Sequence, residues 1–231
     1  QGPRVLEFED KWSTFTSSKN SIAVTSCTTA LHLSLAALGF GPGDEAIVPA
    51  FTWISTANVV EHLGGKVIFC DIDPITFNID VTQIESKITD KTKAILPVHL
   101  FGLSADMDPI NEIAERYGLW VIEDAACGFG ATYKNKHVGT LGTSGCFSFH
   151  PRKAITTGEG GMVTCNDEAL WRDMWAYKDH GKSYEAVYER EHPPGFRWLH
   201  ESFGTNARML EMQAAIGRIQ LKRMAQWHEQ R

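Results

Sequence analysis

Residues 145–161 read GCFSFHPRKAITTGEGG, an apolar run followed by a lysine on a glycine-rich segment. The run at 146–149 predicts a buried strand, and residues 160–164 predict a strand that returns beside it. Lysine is rarely buried without a partner, so Lys153 at a strand end is a candidate for chemistry. Burial and neighbouring charge allow such an amine to lose its proton near neutral pH and to form a Schiff base. The alternative is a solvated lysine on a surface turn.

Strands and helices alternate at short spacing on the N-terminal side of this stretch, and two more helices follow it. The predicted strands lie at 21–25, 45–48, 66–70, 94–98, 119–122, 146–149 and 160–164, and the predicted helices at 30–38, 54–63, 81–88, 107–117, 168–177 and 210–227. No element is predicted before residue 21. This alternation favours an α/β fold with three layers (α/β/α) and a mostly parallel central sheet. Ligands bind such sheets beyond the carboxyl ends of the strands, where polar groups at 26–29, 124 and 148–153 follow predicted strands.

Composition and charge exclude several classes of function. A chain of 231 residues suffices for one large α/β domain or two small ones. Its formal charge of −6 argues against nucleic acid as a partner, because phosphate binding needs a basic face. No apolar run approaches the roughly 18 residues of a membrane span, and no signal peptide is recognised. Five widely spaced cysteines predict reduced thiols in a cytoplasmic protein, with no metal site. They are Cys27, Cys70, Cys127, Cys146 and Cys165.

Two adjacent acids, Glu123 and Asp124, end the strand predicted at 119–122. Side chains alternate along a strand, so we expect only one of the two to face the interior. A buried carboxylate needs a cationic partner. A protonated pyridine nitrogen is such a partner, and this pairing makes pyridoxal phosphate a better electron sink. The alternatives for Asp124 are a cap of the following loop and a surface acid.

Other candidate side chains also follow predicted strands. The hydroxyl-rich residues 25–29 precede a helix, whose first N–H groups can bind a phosphate; plain capping of that helix is the alternative. Trp53 lies at a strand-to-helix turn and is a candidate for stacking on a planar ring, with a core tryptophan as the alternative. His99 and His150 follow strands too, but each is individually more typical of a structural histidine.

Taken together, these residues resemble the DegT type of sugar aminotransferases that depend on pyridoxal phosphate, within the fold type I superfamily of aspartate aminotransferase. Each matching piece is short, and the set runs in the family's order along most of the chain. The pieces are SCTTAL (26–31), GPGDE (41–45), PAFTW (49–53), PVHLFG (97–102), EDAA (123–126), SFH (148–150) with Lys153, TGEGG (157–161), NARM (206–209) and QAA (213–215).

The resemblance implies a fold, an activity and an assembly. Residues 1–231 are expected to form the large domain that binds pyridoxal 5'-phosphate, without the family's N-terminal segment and C-terminal small domain. The implied reaction moves an amino group from an amino acid, glutamate being the first candidate, to a keto group of a nucleotide-linked sugar. Such reactions serve amino-sugar and surface-polysaccharide biosynthesis. Family members are homodimers with shared active sites, so the same is expected here.

The resemblance also implies roles for single residues. Lys153 would hold the cofactor as a Schiff base and then move a proton as general base and acid. Asp124 would pair with the pyridine nitrogen, and Trp53 would stack on the ring. Asn206 would reach the phosphate in the neighbouring subunit, and His99 would lie near the sugar. The implied phosphate ligands are Thr28, Thr29 and Ser148.

Three positions depart from the family pattern. Cys127 stands where glutamine or histidine is usual at a ring contact, Ala154 replaces the common asparagine, and Cys27 replaces the usual glycine. Dehydratases of the family carry histidine in place of Lys153, so dehydration on the same fold is the weaker alternative. A non-catalytic regulatory relative is the third reading, although such relatives often lack the lysine. Residues 183–202 match no element, and we expect them to contribute to sugar recognition.

Overall fold

The structure, a computed structural model, describes residues 2–193 and 199–230. Seven strands form one central sheet, and two short strands form a separate hairpin. The strands are β1 (Asn20–Val24), β2 (Glu45–Pro49), β3 (Lys66–Cys70), β4 (Thr92–Ile95), β5 (Trp120–Asp124), β6 (Thr132–Tyr133), β7 (Lys136–His137), β8 (Ser144–Ser148) and β9 (Gly161–Cys165). The sheet order is β1-β9-β8-β5-β4-β2-β3. The pairs from β8 through to β3 are parallel, whereas β9 runs antiparallel to both β8 and β1. The return strand predicted after Lys153 is therefore present.

Helices cover both faces of this sheet, which confirms the three-layer α/β/α prediction. They are α1 (Pro3–Thr16), α2 (Cys27–Ala37), α3 (Ser55–His62), α4 (Val81–Ile84), α5 (Met107–Tyr117), α6 (Glu168–Lys178) and α7 (Glu211–Gln230). One face packs apolar residues of α2, α3 and α6 against Ile122 and Val163. On the other face, α5 packs against Val121 and α1 with α7 packs against Phe147. Among the described residues, no helix is both long and apolar enough to cross a bilayer.

Helix α1 lies before residue 21, where the sequence pattern predicts no element. Its buried side chains include Val5, Phe8 and Trp12, with charged residues between them. Their spacing of three and four residues is the helical signal, and a proline stands at the start of the helix. Phe8 packs on Phe149 with ring centroids 5.4 Å apart, and Trp12 packs on the same ring at 5.0 Å. The helix therefore supports the strand end that precedes Lys153.

The expectation that only one of Glu123 and Asp124 faces the interior was wrong. They do point to opposite faces of β5, but both faces are covered, and the two residues are 0% and 4% exposed. The Glu123 carboxylate accepts hydrogen bonds from three backbone N–H groups of the loop before β8, at 2.6–2.7 Å. It also accepts one from His99 Nε2 at 2.9 Å. Glu123 thus anchors this loop inside the protein.

The segment at 183–202, for which the sequence pattern predicts no element, contains one helical turn at Glu185–Glu189. Residues 194–198 of this segment lie outside the described part of the chain. Its expected contribution to sugar recognition stays a prediction.

Candidate active site

A cavity of about 500 Å³ opens at the carboxyl ends of the central strands. Its walls come from the turns that follow β1 and β2, from the end of β5 and from the loop between β8 and β9. This volume lies in the range of small-molecule sites. The structure brings most of the candidate site residues together here. They are Thr28, Trp53, His99, Asp124, Cys127, Ser148 and Lys153.

Lys153 lies in the wall of this cavity and not on an isolated surface turn. Its loop is pinned at both ends, because Phe149 accepts hydrogen bonds from Thr156 Oγ1 and Thr157 N–H, and itself donates to the Gly160 carbonyl. Nζ lies 3.0 Å from Sγ of Cys127. The predicted cofactor ligands Lys153 and Cys127 are therefore direct neighbours, although the sequence separates them by a strand and a hairpin.

Asp124 is a buried carboxylate with hydrogen-bond donors but no ion-pair partner among the described residues. Oδ2 accepts from Thr56 Oγ1 at 2.7 Å, and Oδ1 accepts from the Ala126 N–H at 3.0 Å. The Cys27 thiol lies 3.9 Å from Oδ1. Burial, with the nearby Asp124 charge, raises the pKa of Cys27 well above its ordinary value, so the thiol keeps its proton and acts as a weak donor. The surface-acid alternative was wrong, whereas the hydrogen bond from the Ala126 N–H caps the following loop, as the other alternative expected.

The start of α2 combines helix capping with an open N-terminus. Ser26 caps the helix, since its hydroxyl accepts from the Thr29 N–H at 3.1 Å. The first N–H groups of a helix have no intrahelical partners and remain available to an anion. Thr28 lines the cavity and donates from Oγ1 to Ser55 Oγ at 3.0 Å. Thr29 does not line the cavity, and its hydroxyl contacts those of Thr25 and Ser26.

Gly161 allows β9 to approach this helix start closely. A Cβ atom at position 161 would lie 2.4 Å from the Ser26 carbonyl carbon and 2.8 Å from the Cys27 nitrogen. Both contacts involve backbone atoms, which cannot move aside as a flexible side chain could. Glycine at position 161 therefore allows the N-terminus of α2 to pack directly against the start of β9, at the end of the Lys153 loop.

Trp53 is 73% exposed at the mouth of the cavity, so the core-tryptophan alternative was wrong. Phe51 and Phe101 line the same mouth and are 49% and 76% exposed. Phe77 extends this aromatic rim, with its ring 5.8 Å from that of Phe51. Exposed aromatic groups at a cavity mouth are suited to stacking on a planar ligand.

Two candidates differ in position from the rest. His99 is fully buried although it borders the cavity, and both ring nitrogens are engaged. Nδ1 accepts from the Ala105 N–H at 3.2 Å, so the proton is on Nε2, which donates to Glu123. Neither nitrogen is left for a polar contact with a sugar. Asn206 is exposed, lies outside the cavity lining and forms a backbone bridge with Asp179.

Two threonines of the cavity region were not identified from the sequence. Thr56, in the first turn of α3, is fully buried and binds Asp124. Thr52 lines the cavity, and its buried hydroxyl has no hydrogen-bond partner among the described residues. Thr52 directly precedes Trp53 in the PAFTW segment, and Thr56 follows Trp53 by three residues at the start of α3. Proximity to Trp53 was the sequence feature that could have identified both. An unpaired buried hydroxyl in a cavity wall fits a polar ligand.

Comparisons with known proteins agree with this geometry. The sequence model of the DegT/DnrJ/EryC1/StrS aminotransferase family matches residues 1–231. GDP-perosamine synthase of Caulobacter vibrioides is 45% identical over 240 residues, covering 100% of this chain and 62% of that protein.

Solved structures match as well. The aminotransferase from Psychrobacter cryohalolentis has a TM-score of 0.96 at 53% identity, over 97% of this chain and 57% of that chain. The PLP form of a putative sugar aminotransferase, Spr1654 from Streptococcus pneumoniae, has a TM-score of 0.88 at 29% identity, over 98% of this chain and 60% of that chain. The chain therefore spans less than two thirds of the length of each of these proteins.

Proposed function

Because this chain belongs to the DegT/DnrJ/EryC1/StrS aminotransferase family, we propose that it is the large domain of an aminotransferase that uses pyridoxal 5'-phosphate. The proposed substrates are an amino-acid donor, with glutamate as the first candidate, and a keto group on a nucleotide-linked sugar. The GDP-perosamine synthase and the putative sugar aminotransferase among the similar proteins support this substrate class. The product would be an amino sugar for a surface polysaccharide.

The observation that carries this proposal is the pairing of Lys153 with Asp124 across one cavity. Asp124 is 4% exposed, and no described lysine, arginine or histidine forms an ion pair with it. An uncompensated buried carboxylate is costly, and a protonated ring nitrogen would compensate it. The residues present therefore fit pyridoxal phosphate, with an amine for its aldehyde, an acid for its nitrogen and a helix start for its phosphate.

When bound, the cofactor supplies an electron sink that makes a proton on the neighbouring amine carbon acidic. Lys153 would hold the cofactor and then carry that proton on Nζ as general base and acid. Asp124 would keep the ring nitrogen protonated, and Trp53 would stack on the ring and exclude water from one side. The start of α2, with Thr28, would bind the phosphate; Thr29 and Ser148 are the further proposed ligands. Cys127 replaces the family's usual ring contact and lies beside Nζ.

The assembly and location belong to the same proposal. We propose a homodimer with shared active sites, in which Asn206 reaches the phosphate of the neighbouring subunit. Its exposed position outside its own cavity is compatible with that role. The exposed aromatic rim at the cavity mouth also supports a covering partner. A cytoplasmic location is supported by five cysteines that are all free thiols.

Reductive trapping tests the cofactor site. The protein is mixed with pyridoxal phosphate, reduced with borohydride and digested, and the modified lysine is identified by mass spectrometry. We expect the label on Lys153, its loss in Lys153→Arg, and retention in Lys66→Arg, a control at a lysine whose side chain is 70% exposed. Label spread over surface lysines, with none on Lys153, would refute the proposal.

The reaction itself needs a second assay. A panel of nucleotide-linked keto sugars is incubated with the protein, pyridoxal phosphate and glutamate, and the products are measured by mass spectrometry. Glutamate-dependent replacement of a keto oxygen by an amine is the expected result. Loss of water from the sugar, with no nitrogen left in the product, would instead indicate the dehydratase. A cofactor-loaded protein that forms neither product would favour a regulatory relative.

A further inference from the structure

Thr56 makes the shortest hydrogen bond to the Asp124 carboxylate. It lies in the first turn of α3, is 0% exposed, and places Oγ1 2.7 Å from Oδ2. The two residues are 68 positions apart in the sequence, so this contact exists only in the folded sheet. Thr56 does not line the cavity. It can therefore act on a bound ligand only through its neighbours.

The Thr56 hydroxyl has two acceptors for a single proton. Its Oγ1 lies 3.2 Å from the carbonyl oxygen of Trp53 as well as 2.7 Å from Asp124. An ionised carboxylate can only accept hydrogen bonds, and hydrogen bonds to a charged group are the stronger ones. The proton is therefore directed to Asp124 while that residue is ionised. The Trp53 carbonyl keeps the backbone N–H of Thr56 as its donor, at 3.3 Å.

The two carboxylate oxygens of Asp124 have different donors. Thr56 binds Oδ2, and the Ala126 N–H binds Oδ1 at 3.0 Å. Donors on both oxygens restrict rotation of the carboxylate about its Cβ–Cγ bond. Removal of the hydroxyl leaves Oδ2 without a donor among the described residues, because the Ala126 N–H and the weak Cys27 thiol both contact Oδ1. The carboxylate then gains freedom to turn away from a ligand in the cavity.

We infer that Thr56 is a positioning residue, which fixes the Asp124 carboxylate toward the cavity and ties it to the turn that carries Trp53. This inference rests on the proposed function, because it concerns how Asp124 meets the cofactor ring nitrogen. Thr56 thereby connects Asp124, proposed to contact the ring nitrogen of the cofactor, with Trp53, proposed to stack on the face of that ring. Serine retains the hydroxyl needed for this role, whereas valine keeps the shape of threonine and loses it.

The test is a double-mutant cycle on pyridoxal phosphate affinity, measured by equilibrium dialysis and independent of turnover. We expect Thr56→Val to raise the dissociation constant about ten-fold, the size of one hydrogen bond to a charged group. Thr56→Ser is expected to restore it to within about three-fold. In the Asp124→Asn background the valine substitution is expected to change affinity less than two-fold, because the carboxylate it positions is gone.

A matched control removes a similar threonine–aspartate hydrogen bond far from the cavity. Thr82 donates to Asp80 at 2.6 Å on the surface, and Thr82→Val should leave cofactor affinity unchanged. Urea unfolding of every variant without cofactor separates lost affinity from lost folding, and Thr56→Ala replaces the valine variant if that one does not fold. An equal loss of affinity in the native and Asp124→Asn backgrounds overturns the positioning role. A native protein that takes up no cofactor at Lys153 refutes the proposed function itself, which is a distinct result.

Discussion

Glu123→Gln should be strongly destabilising, although it changes one atom of the side chain. The carboxylate of Glu123 is 0% exposed and accepts four hydrogen bonds. Oε1 takes the N–H groups of Leu141 and Gly142 at 2.7 and 2.6 Å. Oε2 takes His99 Nε2 and the Gly139 N–H at 2.9 and 2.6 Å. A glutamine keeps one oxygen for two of these donors and turns its own NH₂ group toward the other two.

The loss follows from this count. Two hydrogen bonds to a charged group disappear, each worth about 1.5–3 kcal/mol, so the free energy of unfolding should fall by about 3–6 kcal/mol. For a chain of this size that corresponds to a melting temperature lower by at least about 6 °C. Urea unfolding followed by circular dichroism measures the change. The slope of the free energy of unfolding against urea concentration should equal that of the native protein. Glu115→Gln, at an exposed position on α5, is the control. A loss below about 1 kcal/mol would falsify the four-donor account.

Three further predictions concern a buried lysine, an exposed cysteine and a close-packed glycine. Burial lowers the pKa of Lys178 from 10.5 to about 8. Between pH 8 and pH 10.5 the unfolded state therefore binds more protons than the folded state, and the free energy of unfolding rises with pH. Urea titrations should show that Lys178→Met removes up to about 3 kcal/mol of this rise, whereas the control Lys66→Met leaves it unchanged. Iodoacetamide should alkylate Cys127 first in the native protein, because it is the exposed cysteine; peptide mapping that finds a buried thiol labelled as fast would contradict the structure. Gly161→Ala should weaken pyridoxal phosphate binding and lower the free energy of unfolding by more than about 2 kcal/mol, because the new Cβ would lie 2.4 Å from the Ser26 carbonyl carbon. Dialysis and a calorimetric scan measure the two effects. The control Gly41→Ala should match the native protein, because its Cβ would lie 3.9 Å from the nearest atom.

Local sequence patterns were sufficient to locate Lys153, Asp124 and Trp53 at one edge of the sheet. Each follows a predicted strand, and the carboxyl ends of parallel strands meet on the same side. The alternation of strands and helices predicted the three layers for the same reason. The three residues lie in one cavity because the strands that precede them run parallel in one sheet. The order of strands and helices along the sequence is enough to predict this arrangement.

Features that depend on tertiary contacts were not predictable in this way. Thr56 has the pattern of an ordinary threonine at a helix start, and only the folded sheet brings it to Asp124. Glu123 was misjudged because the alternation rule says which face a side chain takes and not whether that face is covered. Helix α1 was overlooked because charged residues separate Val5, Phe8 and Trp12 and hide their helical spacing.

The placement of β1 has a consequence for how the chain folds during synthesis. This strand lies at the edge of the sheet, and its neighbour in the sheet is β9, with Asn20 opposite Cys165. The turn that carries the α2 N-terminus thus cannot dock until about 140 further residues have left the ribosome. The apolar strand β1 stays unpaired during that time, so we expect the segment around it to bind chaperones while the chain is being synthesised.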